Sequence, residues 1–136
     1  MAELRFFQKT RTNWAPATIS VGETANLFSV HPGDLIGPMF VYIRTAFDGT
    51  GGRTITVGDG NDVDRFMGTT VGDISQAAGT YLTAIGATAS SDYLLIGRYL
   101  YTAADTIDVV FVAATGGSPT TGNLDFWYYS ARVAPR

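Results

Sequence analysis

Residues 38–47 read Pro-Met-Phe-Val-Tyr-Ile-Arg-Thr-Ala-Phe, and the reading of this stretch decides the fold class. Met39, Val41 and Ile43 fall on one face of an extended chain, with Phe40, Tyr42 and Arg44 on the other. A period of two in β-branched and aromatic residues predicts a strand. Residues 123–133 repeat the pattern, setting Leu124, Phe126 and Tyr128 against Asp125, Trp127 and Tyr129. Residues 107–113, Ile-Asp-Val-Val-Phe-Val-Ala, predict a central strand that is apolar on both faces.

Shorter strand signals lie at 4–9, 17–21, 25–30, 53–57, 81–85 and 93–101. Turn chemistry separates them: Asp48-Gly49, Gly51-Gly52, Gly58-Asp59-Gly60-Asn61-Asp62 and Gly116-Gly117-Ser118-Pro119. Gly and Asn adopt positive φ at little cost, which such turns require. Residues 71–78 carry the best helical signal, enough for one turn. Short strands with turns about every ten residues predict an antiparallel all-β sandwich or barrel. No repeat, linker or shift in composition divides the 136 residues, so residues 1–136 are read as one domain.

Charged residues make up only 15% of the chain and hydrophobic ones 46%. An ordinary soluble domain has about a quarter of its residues charged. Small neutral side chains in their place leave a surface poorly defended against association, which points to partner-covered area. Net charge is −3, and Lys9 is the single lysine, so the basic stripe that nucleic acid demands is missing. Arg5, Lys9 and Arg11 form the one basic cluster. With no cysteine there is no disulfide and no thiolate metal site. The start of the chain does not read as a signal peptide, and its apolar runs are too short to span a bilayer. The expectation is a soluble protein without nucleic-acid or membrane partners.

Catalytic constellations fare poorly. His31 is the only histidine, and His31-Pro32-Gly33-Asp34 reads as a turn rather than as the base of a triad. One histidine without cysteine cannot make a zinc site. The acidic run Asp59-Gly60-Asn61-Asp62-Val63-Asp64 invites comparison with calcium loops, but Val63 stands at the fifth position and Thr70 where a bidentate glutamate belongs. It is read as a solvated turn. Glu3 and Glu23 are the only glutamates, and five of the ten aspartates adjoin Gly or Asn, as turn-forming aspartates do. No catalytic residue, metal ligand or cofactor site is assigned. The aromatic residues Trp127, Tyr128 and Tyr129, and a second set at Tyr93, Tyr99 and Tyr101, are read as core plus subunit contact in preference to a sugar-stacking platform.

From Val41 to Val133 the chain resembles a family of small structural proteins of tailed bacteriophages. The likeness is carried by Thr45-Ala46-Phe47-Asp48-Gly49-Thr50, Thr54-Ile55-Thr56-Val57-Gly58 and Asp64-Arg65-Phe66. It continues through Tyr101-Thr102-Ala103-Ala104-Asp105-Thr106-Ile107 and Gly117-Ser118-Pro119-Thr120-Thr121-Gly122 into the last strand. The resemblance implies a head decoration (cement) protein: a jelly-roll-like β-sandwich of about eight strands, often trimeric, attached to the outside of an assembled capsid. Its partners would then be the major capsid protein and further copies of itself, and it would be made in the host cytoplasm. The family has no catalytic motif to carry over. Residues 1–14 are read as an N-terminal arm or an edge strand. Within them Arg5, Phe6, Phe7, Lys9, Arg11 and Trp14 are the expected capsid or subunit contacts. The alternatives are a tail, adaptor or fibre component, and a carbohydrate-binding module.

Overall fold

The structure, a computed structural model, describes residues 2–14, 22–48, 51–83, 98–114 and 119–133. Among these residues eight strands run β1 Ala2–Trp14, β2 Thr24–Val30, β3 Asp34–Thr45, β4 Arg53–Asp59, β5 Tyr81–Thr83, β6 Tyr99–Leu100, β7 Asp105–Ala114 and β8 Asn123–Val133. They form two antiparallel sheets. The larger runs β1-β8-β3-β5, with β6 also on β3, and the smaller runs β2-β7-β4. The first four strands alternate between the sheets, so successive strands are layered rather than paired.

The alternation at residues 38–47 does what it predicts. Met39, Val41 and Ile43 are buried, while Phe40 and Tyr42 are half-buried and Arg44 is exposed. Leu124 and Phe126 of β8 lie beside Ile43 and Val41 in register. Against them pack Ile55 and Val57 of β4 and Ile107, Val109 and Phe111 of β7, all fully buried in one core. Burying each such side chain contributes about 1.5–3 kcal/mol before the ordering cost. Pro38 interrupts β3 at a register shift between Ile36 and Met39, between the residues that pair with β6 and those that pair with β5. A residue with no N–H is tolerated at such a place.

Strand β7 is central, between β2 and β4. Only one of its faces is buried, however: Ile107, Val109 and Phe111 point inward, Val110 is half-buried and Val112 is 40% exposed. The apolar run at 107–113 therefore marks one core face plus an outward face of small β-branched residues. Residues 71–78 form no helix. They belong to a strap, 60–80, that runs along the free edge of β4. Phe66 and Met67 donate backbone N–H bonds to Val57 O, Val57 donates to Met67 O, Ile55 to Gly72 O, and Ile74 to Arg53 O. The strap also sends Phe66, Met67 and Ile74 into the core. An edge that could pair with another chain is thereby covered. Gly79 and Thr80 then bond to Ile43, delivering the chain to β5 on the opposite sheet. The expected strand at 17–21 lies outside the described residues.

At the far side of the sandwich, Phe28 of β2 stacks on Tyr128 of β8 with ring centroids 4.2 Å apart, joining the two sheets. The N-terminal residues Ala2–Trp14 are strand β1. β1 pairs with β8 from Ala2↔Val133 to Trp14↔Leu124, with three register shifts.

One end of the sandwich is clamped by Asp48. Its carboxylate accepts the Thr120 hydroxyl, the Thr120 amide at 2.8 Å and the Thr121 amide at 3.0 Å. The Thr120 hydroxyl first, and then the Thr121 amide, hold the Asp48 carboxyl at about 2. A carboxylate in an unfolded chain titrates near 3.9. The folded value is the lower one, so this clamp acts fully above the unfolded value and is lost as pH falls through about 2. Asp48→Asn is expected to lower the urea midpoint at pH 7, and the gap from wild type should close on titration into that acid range. A gap that persists unchanged in acid contradicts the charge-based account.

The strap depends on close backbone approach. A Cβ at Gly72 would sit 2.0 Å from the Ile55 carbonyl oxygen, and one at Gly58 2.1 Å from that of Asp62. Gly72→Ala should therefore prise the strap from β4 and cost about 1–3 kcal/mol in chemical denaturation. A neutral result would mean the strap is not seated on that edge.

Candidate functional site

The acidic loop that reads as a solvated turn is anchored in the interior. Asp59, the last residue of β4, is 2% exposed. Its Oδ1 accepts the backbone N–H groups of Asn61 at 3.0 Å and Asp62 at 2.9 Å. Its Oδ2 accepts the Tyr101 hydroxyl at 2.6 Å and Arg65 Nε at 2.5 Å. Burial alone would raise this carboxyl. The Tyr101 hydroxyl, the Arg65 guanidinium and the Asn61 amide outweigh it and hold the group below the usual carboxylate range.

Both of its partners are placed by further contacts. Tyr101 is 3% exposed, and its backbone bonds to Asp34 and Gly33 at the start of β3. Burial, followed by the bond to Asp59, drives its phenol far above the ordinary tyrosine value. The Arg65 guanidinium carbon lies 3.7 Å above the centre of the Tyr99 ring, a cation–π geometry. Tyr99 in turn meets Tyr101 edge to face at 4.9 Å. Asp59 therefore ties β4 of one sheet to β6 and the start of β3 in the other.

This arrangement is structural. Each Asp59 oxygen already receives two protein donors, which leaves little for a cation. Among the described residues, no group of three or more His, Asp or Glu side chains could hold a metal ion. The burial of Asp108, next to Asp105 and Asp59, raises its carboxyl, and Asp62 raises that of Asp64. His31 is a turn residue. Its amide donates to Asp34 Oδ2 at 2.9 Å, and Arg132 Nε donates to the other oxygen of Asp34 at 3.0 Å. The imidazole itself stands off, with Nδ1 3.8 Å from Asp34 Oδ2, beyond hydrogen-bond distance.

The aromatic residues divide differently from their order in sequence. Tyr101 is core and Tyr99 is at the surface, so they do not form one exposed row; Tyr93 lies outside the described residues. Phe40 and Trp127 are cross-strand neighbours, and so are Tyr42 and Tyr81. The Tyr42 and Tyr81 rings lie 4.7 Å apart, with Tyr81 64% exposed. Asp125, paired with Tyr42 across the strands, is buried beneath Arg44, whose guanidinium meets it at 2.5 and 3.3 Å. On β3, β5 and β8 the described outward face is therefore aromatic around the Arg44–Asp125 pair. The expected contact residues Arg5, Lys9, Arg11 and Trp14 fall along β1, with backbone positions opposite Ser130, Trp127, Phe126 and Leu124. Phe6 and Phe7 sit at the first register shift.

Tyr101→Phe removes one of four donors to a buried carboxylate and should cost about 1–3 kcal/mol at pH 7. Because Asp59 titrates below its unfolded value, the cost should shrink as acid protonates it. Denaturation curves at neutral and low pH check this; equal stability of the two proteins at pH 7 contradicts it.

No protein-family profile and no curated protein matches this sequence. Solved structures do match in fold. A chain from the capsid of Ralstonia phage GP4 superposes with TM-score 0.56 at 16% identity, over 98% of this chain and 86% of that one. A chain from the cyanophage Pam1 capsid asymmetric unit superposes with TM-score 0.50 at 10% identity, over 99% and 84%. The all-β architecture is thus one also found in chains of two phage capsids.

Proposed function

We propose that this chain is a structural protein of a phage virion, a decoration protein that binds the outer surface of the head and stabilises it without catalysis. The observation that carries the reading is the fold shared with chains of two phage capsids across nearly the whole length of this protein. The alternation of strands between two sheets supports the jelly-roll expectation. The mechanism is mass action: a ligand that binds only the assembled lattice shifts the equilibrium towards it. A trimer multiplies the effect, because each further subunit binds its site at high effective concentration.

The proposed contact is the N-terminal edge strand, with Arg5, Phe6, Phe7, Lys9, Arg11 and Trp14. Deleting it is a poor test, since β8 would lose one of its two neighbours. Reversing charge is cleaner. Purified protein should co-sediment with empty heads, and the triple variant Arg5→Glu, Lys9→Glu, Arg11→Glu should keep its melting temperature but lose occupancy at least tenfold. Undiminished occupancy rejects this contact surface. Failure of the wild type to sediment with heads rejects the decoration role and favours a tail or adaptor location.

A further inference from the structure

The most buried cation among the described residues has no counter-charge there. Arg53, at the start of β4, is 2% exposed, and its side chain reaches one protein acceptor, Gly51 O at 3.2 Å from Nη1. Its Nε is buried and unpaired. Arg44, Arg65 and Arg132, all more exposed, each sit on a carboxylate at 2.5, 2.5 and 3.0 Å. A guanidinium offers five donors in a planar fork that matches an oxyanion. Withdrawing it from water without an anion costs more than any other side-chain burial in the core. The other contacts at this position are made by its backbone, whose N–H donates to Ser75 Oγ at 2.8 Å and whose carbonyl accepts from Ile74.

We propose that Arg53 is an oxyanion-binding residue, its ligand a carboxylate brought by an acidic side chain of an abutting subunit. The identity of that donor rests on the virion reading; the anion site itself does not. The route proposed for that ligand is across Gly51 and Gly52, the exposed residues that lead into Arg53. Both are exposed and bring no side chain, and a Cβ at Gly52 would meet no heavy atom within 4 Å. The single neutral acceptor, Gly51 O, is one that an anion can displace, because charge-assisted hydrogen bonds to guanidinium are about twice as strong as neutral ones. Ser75, exposed beside the same turn, bonds Gly51 O and the Arg53 amide through its hydroxyl and so holds the turn in place.

The test uses the full chain, free in solution, in chloride, acetate and phosphate of matched ionic strength at pH 7. The melting temperature of the wild type should rise by a few degrees more in an oxyanion than in chloride, and the rise should saturate. Arg53→Met should melt no lower than wild type in chloride, because a buried unpaired charge is gone, and should lose the oxyanion-specific rise. Gly52→Phe keeps Arg53 but walls off the approach; it should melt as wild type in chloride and also lose the rise. A larger response to acetate supports a protein carboxylate as ligand, and a response to phosphate alone supports the site with free phosphate as its source. Equal responses of wild type and Arg53→Met overturn the proposal, since they reduce the effect to general salting-out. A full response in Gly52→Phe overturns it as well. None of these results depends on head binding, so failure here and failure of the decoration role remain distinguishable.

Discussion

A single buried carboxylate organises one end of this sandwich. Asp59 receives two backbone amides, a phenol and a guanidinium, and these come from the loop that follows β4 and from the segment that leads into β7. Without that anchor the strap would have no fixed origin. Its residues Phe66, Met67 and Ile74 would then lose the register that seats them in the core. Removing one partner from such a group is expensive, because the charge left behind is still out of water. A local polar knot thus sets the position of a largely apolar layer.

The same economy of charge shapes the surface. Twelve acidic and nine basic side chains serve 136 residues, and several of them are spent inside ion pairs or turn clamps. What remains outside is rich in Tyr, Thr and Gly. Tyr81, Leu100, Val63 and Val112 are large apolar groups held in water. A surface of this kind is consistent with a protein that spends its working life covered by neighbours. The strap protects the β4 edge, whereas β1 pairs on one side only among the described residues. Among the described residues, one flank of the sandwich is thus closed by the strap and the other ends in β1.

Much of the fold was legible because strands announce themselves through a period of two. Met39, Val41 and Ile43 are inward, as that period requires, and so are Leu124 and Phe126. The strap was illegible for the opposite reason: it is held by backbone hydrogen bonds at irregular intervals, and no side-chain periodicity records those. Asp59 was misread because Gly-Asp-Gly-Asn-Asp has the composition of a solvated turn. Only the fold brings Tyr101, 42 residues away, to its oxygen. One signal was available, since Asp59 ends a run of alternating apolar residues at Ile55 and Val57, on the inward phase. In Val109-Val110-Phe111-Val112 every residue is apolar, and periodicity alone cannot separate a strand buried on one face from one buried on both. Arg53 shares the inward phase of β4, so its burial could have been read from spacing, but its lack of a partner could not.

The functional account stands or falls on where the protein sits in an assembled particle. A cryo-electron microscopy reconstruction of heads incubated with the purified chain addresses that directly. The account predicts symmetric density for the two-sheet sandwich on the outer surface, with the β1 flank turned towards the shell or a neighbouring subunit. Density confined to the tail, the lumen or nowhere on the particle would contradict it.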